Sequence, residues 1–274
     1  MNLVLTGSTS GIGWEKLKGL YPVFDNLILP VRNLEKAKSL IAKLPEQRKI
    51  HLVGMDLGDM KSVEKAAKQI ASEFPKIDVL INNAGGMFPA GMRTKDGLDQ
   101  SFAVNHLGPF VLTKTLLPNL LATKGKIINV SSEAHRIAKV SKADLGLLRS
   151  PITIHAYANV KLYNVLMSRY LVNQYKNEGL KSYSLHPGAV RTAFGSESGT
   201  IAKAVIRATQ LFFISPKKGA ETGIFLATAP SEKLINGAYY VRKKAKSPST
   251  IAMDNQLGEN LWNFSEEILT KILS

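Results

Sequence analysis

The sequence lacks cysteine, has no long apolar run and contains fewer acidic than basic residues. Without cysteine the chain has no disulfide, no thiolate zinc site and no cysteine nucleophile. A reducing compartment is compatible with that absence. No apolar stretch approaches the roughly 20 residues of a membrane-spanning helix, and the first apolar strand begins at Asn2, which leaves no room for a signal peptide. We therefore expect a soluble, cytoplasmic protein without a transmembrane anchor.

The shortage of acidic residues leaves a formal net charge of +15, from 36 Lys+Arg against 21 Asp+Glu. Such a surplus can attract nucleic acid, an anionic membrane or phosphorylated ligands. The basic residues are scattered, and the densest cluster, residues 242–246, is short and accompanied by no nucleic-acid-binding motif. We favour a solvated basic surface and no nucleic-acid partner. Salt-dependent retention on nucleic acid or anionic lipid would support the alternative.

Short apolar runs alternate with longer amphipathic segments along the chain. The runs predicted as strands are residues 3–5, 27–29, 50–53, 79–81, 127–130, 182–185 and 238–241. The segments predicted as helices are residues 11–20, 35–44, 62–74, 97–121, 155–175 and 257–273, with another beginning at Ser215-Pro216. Brief apolar strands separated by helices are typical of βαβ units around a buried parallel sheet. We predict an α/β fold, with a single doubly wound Rossmann-type domain over residues 1–274 and a mainly parallel central sheet.

Two segments interrupt this alternation and are candidates for the walls of a substrate pocket, residues 189–216 and residues 243–274. Their larger apolar side chains are Phe194, Phe212 and Phe213 in the first segment, and Leu261, Trp262, Phe264 and Ile268 in the second. Aromatic residues at such spacing serve as often in simple packing as in a pocket. Both interpretations stay open from the sequence.

A glycine-rich segment directly follows the first predicted strand. It comprises Gly7, Ser8, Thr9, Ser10, Gly11, Ile12 and Gly13. Glycine lets the backbone approach a pyrophosphate closely, and the start of the next helix presents free N–H groups and the positive end of its dipole. Because the segment lies between a predicted strand and a predicted helix, it has the context that a dinucleotide-binding turn requires. We predict a cofactor site there.

The second and third strands end at residues that can select the cofactor. Arg32 offers a bidentate donor for the 2′-phosphate of NADP, where a site for NAD would place an acidic residue against the ribose 2′-hydroxyl. We therefore expect NADP(H), with NAD(H) less favoured, and an ordinary surface arginine is the alternative. Asp56 is placed to contact the adenine amine, although an acidic helix cap fits the same position.

Further motifs recur in a fixed order along the chain. They are Thr6-Gly7-x-x-x-Gly11-x-Gly13, Asp56-Leu57, Asn82-Asn83-Ala84-Gly85, Asn105, Asn129-Val130-Ser131-Ser132, Tyr157-x-x-x-Lys161 and His186-Pro187-Gly188-Ala189-Val190-Arg191-Thr192. With this order the chain resembles the short-chain dehydrogenase/reductase family over essentially its whole length. Residues 105–108, 131–136 and 261–263 are similar to the retinol dehydrogenase and WW-domain oxidoreductase branch, which often acts on retinoids, steroids or other lipophilic carbonyls.

The resemblance implies additional cofactor contacts. Leu57 would accompany Asp56, while Asn83, Ala84 and Gly85 would pack beneath the cofactor ribose. Val190 through its backbone and Thr192 through its hydroxyl would meet the nicotinamide carboxamide.

Tyr157 and Lys161 are the expected centre of the chemistry. Carbonyl reduction needs a hydride donor, a proton donor and a group that polarises the carbonyl. The two residues share one face of the predicted helix because they stand four positions apart. A free tyrosine has a pKa of about 10, and a neighbouring ammonium favours the phenolate. We expect Tyr157 to be the acid/base, and Lys161 to lower its pKa and to donate to the ribose hydroxyls of the cofactor. An exposed helix pair is what the spacing alone would indicate.

Two further side chains complete the predicted catalytic set. Ser132 follows a strand at the carboxyl edge of the sheet, where its hydroxyl can hydrogen-bond the substrate oxygen. Ser131 is the competing candidate, and the family pattern assigns the role to the second serine. Asn105 resembles the fourth member of the set, which holds a water between Lys161 and solvent. The histidines show no metal-ligand spacing, so we expect no metal site.

The predicted function is NADP(H)-dependent interconversion of an alcohol with an aldehyde or ketone, on a small and lipophilic substrate. A non-catalytic NADP-binding sensor or scaffold is the alternative, although the complete catalytic set argues against it. Peripheral membrane contact and a homo-oligomer are both compatible with the sequence.

Overall fold

A computed structural model describes residues 1–45, 49–140, 145, 153–188 and 214–274. Its strands are β1 (Asn2–Leu5), β2 (Asn26–Val31), β3 (Ile50–Gly54), β4 (Val79–Asn82), β5 (Lys126–Val130), β6 (Lys181–His186), β7 (Tyr239–Val241) and β8 (Lys244–Lys246). Its α-helices are α1 (Gly11–Leu20), α2 (Leu34–Ile41), α3 (Met60–Glu73), α4 (Gln100–Phe102), α5 (Gly108–Leu121), α6 (Thr153–Tyr175), α7 (Pro216–Thr228) and α8 (Asn255–Leu273). A π-helical segment, Ala103–Leu107, joins α4 to α5.

The strands form one sheet in the order β3-β2-β1-β4-β5-β6-β7-β8. Every neighbouring pair is parallel except β7 and β8. The chain reverses the direction in which strands are added between β1 and β4, and ligands of such sheets bind at the carboxyl ends of the strands beside this switch point. The predicted doubly wound, mainly parallel fold is confirmed.

Strand β8 was not predicted. It contains three exposed residues of the basic cluster 242–246 and pairs with β7 as a hairpin. Arg242 and Lys243 form the turn with positive φ angles of 51° and 64°, a combination that two-residue hairpin turns use to match the twist of the strands. The basic cluster is thus the edge of the sheet.

Each face of the sheet carries its own hydrophobic core. One core includes Phe102, Phe110 and Leu162 and lies beneath α3, α5, α6 and α8, whereas the other includes Leu17 and Leu226 and lies beneath α1 and α7. Strand residues alternate between the two cores, as the twofold side-chain period of a strand requires. Covering both faces explains why the strands read as continuous apolar runs.

The carboxyl-terminal helix packs against this core with its aromatic residues. The Trp262 ring lies 4.6 Å from the Phe110 ring and stacks on Tyr170 with centroids 4.5 Å apart. Leu261 is also buried. In α8, therefore, these side chains contribute to packing between helices, and the pocket role of residues 243–274 stays a prediction.

Local sequence signals set where several helices begin. Asn33, Asp59, Ser215 and Asp254 each accept a hydrogen bond at their helix start from the backbone N–H three residues later, as capping residues do. The expected start of a helix at Ser215-Pro216 is confirmed, with proline in the first turn. Among the described residues, no helix has the length and apolar character needed to cross a membrane.

Candidate active site

The turn between β1 and α1 depends on glycine at several positions. Gly7 and Gly11 have φ angles of 67° and 49°, which L side chains rarely adopt. A Cβ atom at Gly13 would lie 1.9 Å from the carbonyl oxygen of Gly7, and one at Gly7 would lie 2.8 Å from the Cα of Ala84. The backbone of α1 can approach the turn this closely only because these residues have no side chain.

Thr6 and Asn83 hold the glycine turn against the end of β4. The Asn83 amide donates to the carbonyl oxygens of Thr6 and Gly7, at 3.0 and 3.4 Å. The Thr6 hydroxyl accepts from the backbone N–H groups of Asn83 and Ala84, each at 3.0 Å. The Asn83 side chain therefore supports the turn from below, and it is Ala84 and Gly85 that face the neighbouring cleft.

The start of α1 has the properties of an anion site. Its N-cap, Ser10, makes no side-chain capping bond, in contrast to the capped starts of α2, α3, α7 and α8. Unsatisfied N–H groups and the helix dipole favour a phosphate there. The Ser8 hydroxyl is buried in the turn and has no hydrogen-bond partner among the described residues. These features fit a pyrophosphate.

A cleft of about 270 Å³ opens beside this turn, along the carboxyl ends of β1, β2 and β3. Of the predicted cofactor residues, its lining includes Gly7, Thr9, Arg32, Asp56, Leu57, Ala84 and Gly85. Ser8, Ser10, Gly11, Ile12 and Gly13 form the turn and the first turn of α1 instead. The lining also includes Lys36, Phe88 and Gln100, which sequence reasoning missed. Lys36 follows Arg32 by four positions in the sequence, and this spacing was the signal that could have indicated a second cation in the cleft.

Asp56 forms a local turn beside the cleft. Its carboxylate accepts from the backbone N–H of Gly58 at 2.9 Å. The helix-cap alternative for Asp56 is wrong, because the cap of α3 is Asp59, whose side chain accepts from the N–H of Ser62. Asp56 thus lines the cleft, and its contact with the adenine amine stays a prediction.

The structure brings Ser132, Tyr157 and Lys161 together. The hydroxyl groups of Ser132 and Tyr157 are hydrogen-bonded. The Lys161 Nζ atom lies 5.5 Å from the centre of the Tyr157 ring and donates to the Val130 carbonyl at 3.0 Å. The hydroxyl of Ser131 instead donates to the backbone carbonyl of Lys161 at 2.6 Å, within the protein interior. Ser132 is therefore the serine whose hydroxyl contacts Tyr157.

Burial controls the protonation of this group. It raises the pKa of Tyr157 well above its ordinary value, and the bond from Ser132 acts in the opposite direction as a smaller effect. Burial also lowers the pKa of Lys161 to about 8. The expected lowering of the Tyr157 pKa by Lys161 is not what this structure gives, because loss of hydration around the phenolate raises the pKa and the opposing cause is the hydrogen bond with Ser132.

Asn105 lies in the π-helical segment rather than in a regular helix. Its amide donates to the carbonyl oxygens of Gly86 and Ser101, both at 2.9 Å, and accepts from the N–H of Gly86 at 3.0 Å. A Cβ at Gly85 would lie 2.5 Å from its Oδ1 and 3.4 Å from Nζ of Lys161. The side chains of Asn105 and Lys161 therefore both lie close to Gly85. Short π-helical segments are rare and occur often at functional sites.

Within the described residues, no group of three His, Cys, Asp or Glu side chains is placed to hold a metal ion. His106 is buried and its Nε2 lies 2.9 Å from the Ser265 hydroxyl, and burial lowers its pKa to about 3. His135 contacts the backbone of Ser132 and Ser249. Both rings serve as structural contacts here.

Residues 2–201 match the model of the family described as short chain dehydrogenase. The chain belongs to the short-chain dehydrogenase family. Members are nicotinamide-dependent oxidoreductases of alcohol and carbonyl groups, so the chain is assigned to this class of enzymes.

Curated relatives place this short-chain dehydrogenase near the retinol dehydrogenases. Retinol dehydrogenase 12 of Mus musculus is 32% identical over 271 residues, which cover 97% of this chain and 85% of that protein. Retinol dehydrogenase 13 of Homo sapiens is 32% identical, covering 97% and 84%. The short-chain dehydrogenase TIC 32 B, chloroplastic, of Brassica napus is 31% identical, covering 99% and 89%. The predicted likeness to the retinol dehydrogenase branch is confirmed.

Solved structures share the fold. A protein from Mycobacterium paratuberculosis has a TM-score of 0.78 at 24% identity, over 98% of this chain and 93% of that one. NADPH-bound carbonyl reductase from chicken fatty liver has a TM-score of 0.66 at 20% identity, over 90% and 98%. At these identities the likeness concerns the fold alone.

Part of the predicted short-chain dehydrogenase site lies outside the described residues. Val190 and Thr192, expected at the nicotinamide carboxamide, belong to that part, as do Phe194, Phe212 and Phe213 of the first proposed pocket wall. Their roles stay predictions.

Proposed function

We propose that this protein is an NADP(H)-dependent oxidoreductase that interconverts an alcohol with a lipophilic aldehyde or ketone, with Tyr157 as the acid/base. The observation that carries the proposal is the hydrogen bond between Ser132 and Tyr157, formed beside the buried Lys161 ammonium. A tyrosine hydroxyl next to a second hydroxyl and a lysine is a site for proton transfer to a carbonyl oxygen.

The bound nicotinamide supplies or accepts the hydride. Because the hydroxyls of Ser132 and Tyr157 are adjacent, both can contact one substrate oxygen. Tyr157 donates its proton to that oxygen in the reduction, and its raised pKa keeps the phenol protonated at neutral pH. Ser132 orients the oxygen and stabilises its developing charge. Lys161 stays beside the phenol because the Val130 carbonyl holds its Nζ.

Two basic side chains support NADP(H) over NAD(H). Arg32 and Lys36 both line the cleft beyond the end of β2, where a site that reads the ribose 2′-hydroxyl would have a carboxylate. The retinol dehydrogenase names of several relatives support a lipophilic substrate. Location in the cytoplasm and the absence of a nucleic-acid partner stay predictions from the sequence.

The test replaces the proposed acid/base. Tyr157→Phe should lower kcat by about a hundredfold to ten-thousandfold, the usual contribution of a positioned proton donor, while the Kd for NADPH changes little. NADPH oxidation would be followed with aldehydes and ketones of graded chain length, and NADPH binding by nucleotide fluorescence. Tyr175→Phe, at the other end of the same helix, is the matched control.

Two results would contradict the proposal, one for the role of Tyr157 and one for catalysis itself. Near-normal turnover in Tyr157→Phe would show that the mechanism is wrong. A wild-type protein that binds NADPH but oxidises it with no member of the carbonyl panel would support the sensor or scaffold alternative.

A further inference from the structure

Lys16 is a buried cation that the proposed mechanism does not use. It lies in the second turn of α1, and its side chain has no exposed surface. Its Nζ atom donates to the Oδ1 atom of Asn83 at 2.9 Å. Lysine is among the residues least often buried in this way unless it is paired.

The fold makes room for this lysine. Helix α7 packs against α1, and Gly223 of α7 faces the Lys16 side chain. A Cβ atom at Gly223 would lie 2.5 Å from Cε and 3.0 Å from Nζ of Lys16. The absence of a side chain at Gly223 therefore leaves the channel along which the lysine stem reaches the glycine turn.

Charged groups around Lys16 do not neutralise it. Within the part of the chain that the structure describes, no carboxylate pairs with Lys16. On its own helix Glu15 pairs with Lys18, and on α7 Glu221 pairs with Lys218 and Lys243. From α6, Lys161 acts on it as a like charge.

A buried ammonium without an anionic partner is costly, and such groups are normally paired. Burial accordingly lowers the pKa of Lys16 to about 7, with repulsion from Lys161 as a smaller cause. The glycine turn, which fits an anion, is linked to this ammonium, because Asn83 connects Lys16 to the carbonyls of Thr6 and Gly7.

We propose that Lys16 is a determinant of dinucleotide binding, whose buried ammonium supplies positive charge beneath the phosphate-binding turn and anchors Asn83. The proposal rests on the proposed function, since it assumes that the turn binds the pyrophosphate of a dinucleotide. Lys16 acts through the turn and through its charge, and it is a positioning residue rather than a catalytic one.

The charge predicts a pH dependence with a definite sign. Below its pKa Lys16 is an ammonium and attracts the pyrophosphate, and above that value the attraction is lost. Because a bound anion raises the pKa of a nearby lysine, the loss of affinity spreads upward in pH from about 7. Cofactor affinity should therefore fall as pH rises, and the part of this fall that comes from deprotonation of Lys16 should be absent when Lys16 is replaced.

The experiment measures the Kd for NADPH by fluorescence from pH 6.5 to 9 in the wild-type protein and in Lys16→Met and Lys16→Gln. Gln retains an N–H donor for Asn83 but has no charge. We expect both variants to bind about tenfold more weakly than wild type at pH 6.5, as one unit charge at intermediate distance implies. For Lys16→Gln the ratio of variant to wild-type Kd should approach one by pH 9, whereas for Lys16→Met, which also lacks the donor to Asn83, the ratio should fall with pH but stay above one. This ratio removes the titration of Lys161 and of the 2′-phosphate, which all three proteins share.

Lys18→Met is the matched control, because it removes the same charge from an exposed position of the same helix. It should leave the Kd within twofold of wild type. Wild-type affinity in Lys16→Met, or in Lys16→Gln at pH 6.5, would overturn the charge proposal, as would an equal loss in Lys18→Met or a pH-independent ratio. A wild-type protein that binds no NADPH at any pH would instead overturn the proposed function.

Discussion

Arg32 is the side chain on which the proposed preference for NADP(H) depends most. It is exposed at the end of β2, lines the cleft and, among the described residues, has no ion-pair partner. We expect Arg32→Asp to raise the preference for NADH over NADPH by about tenfold to a hundredfold, because a charge-assisted hydrogen bond contributes about 1.5–3 kcal/mol and the new carboxylate repels the 2′-phosphate. The ratio of kcat/KM with the two cofactors measures the change.

Lys38→Asp provides the control for Arg32. It makes the same change in charge on α2, but Lys38 pairs with Glu35 and is not part of the cleft lining. An unchanged cofactor ratio in Arg32→Asp, or an equal change in both variants, would assign Arg32 to the solvated surface.

At the scale of an element, the 3₁₀ segment Glu133–Ile137 fixes the position of Ser132. The buried His135 ring lies between the Ser132 carbonyl, 2.7 Å from Nδ1, and the Ser249 backbone nitrogen, 3.0 Å from Nε2. A backbone N–H can only donate, so Nε2 accepts and Nδ1 carries the proton. The ring therefore joins the turn after β5 to the segment that precedes α8.

We expect His135→Phe to lower kcat by about tenfold to a hundredfold, since small displacements of a catalytic group have costs of this size. The Kd for NADPH should change little, because the dinucleotide turn lies after β1. Carbonyl reduction and cofactor titration measure the two effects. The matched control is His51→Phe, in β3, where the ring contacts Asn26. A loss of kcat that is equal in both variants, or a parallel loss of NADPH affinity, would contradict a positioning role at Ser132.

For the molecule as a whole, the parts that follow a local rule could be predicted from the sequence. Apolar runs identified seven of the eight strands found in the described ranges of the chain, because buried parallel strands have little polar content. The order of the motifs identified the family, and the strand end placed Ser132 at the carboxyl edge of the sheet, where ligands of such folds bind. The exposed Lys244–Lys246 strand lacks any apolar pattern, so it was missed.

The parts that depend on distant residues could not be predicted. A lysine in an amphipathic helix is expected on the solvent side, yet Lys16 is buried because Gly223 makes room for it. The sequence gives no signal for the π-helical turn at Asn105, because the surrounding apolar stretch has the pattern of an ordinary helix. The raised pKa of Tyr157 comes from burial, which only the packed structure reveals.

The buried Lys16 also has a consequence for the stability of the whole fold. Its pKa falls from an ordinary 10.5 to about 7 on folding, so the unfolded chain binds more protons between these values and stability rises with pH across that interval. The cost of the buried charge is therefore greatest at and below about pH 7. At 1.36 kcal/mol for each pKa unit, its upper bound is about 5 kcal/mol.

Without cofactor, Lys16→Met should consequently melt at a higher temperature than wild type at pH 6.5, by roughly 2–4 °C for each kcal/mol recovered, and this advantage should fade towards pH 10. Lys18→Met should show little change, because exposed pairs contribute at most about 1 kcal/mol. Thermal melts at several pH values, with and without saturating NADPH, measure the cost of the buried charge and the stabilisation by the cofactor. NADPH should stabilise the wild type more than Lys16→Met, because ligand binding adds stability in proportion to the logarithm of affinity. A Lys16→Met protein that is less stable at pH 6.5 would show that the lysine stem contributes more through packing than its charge costs.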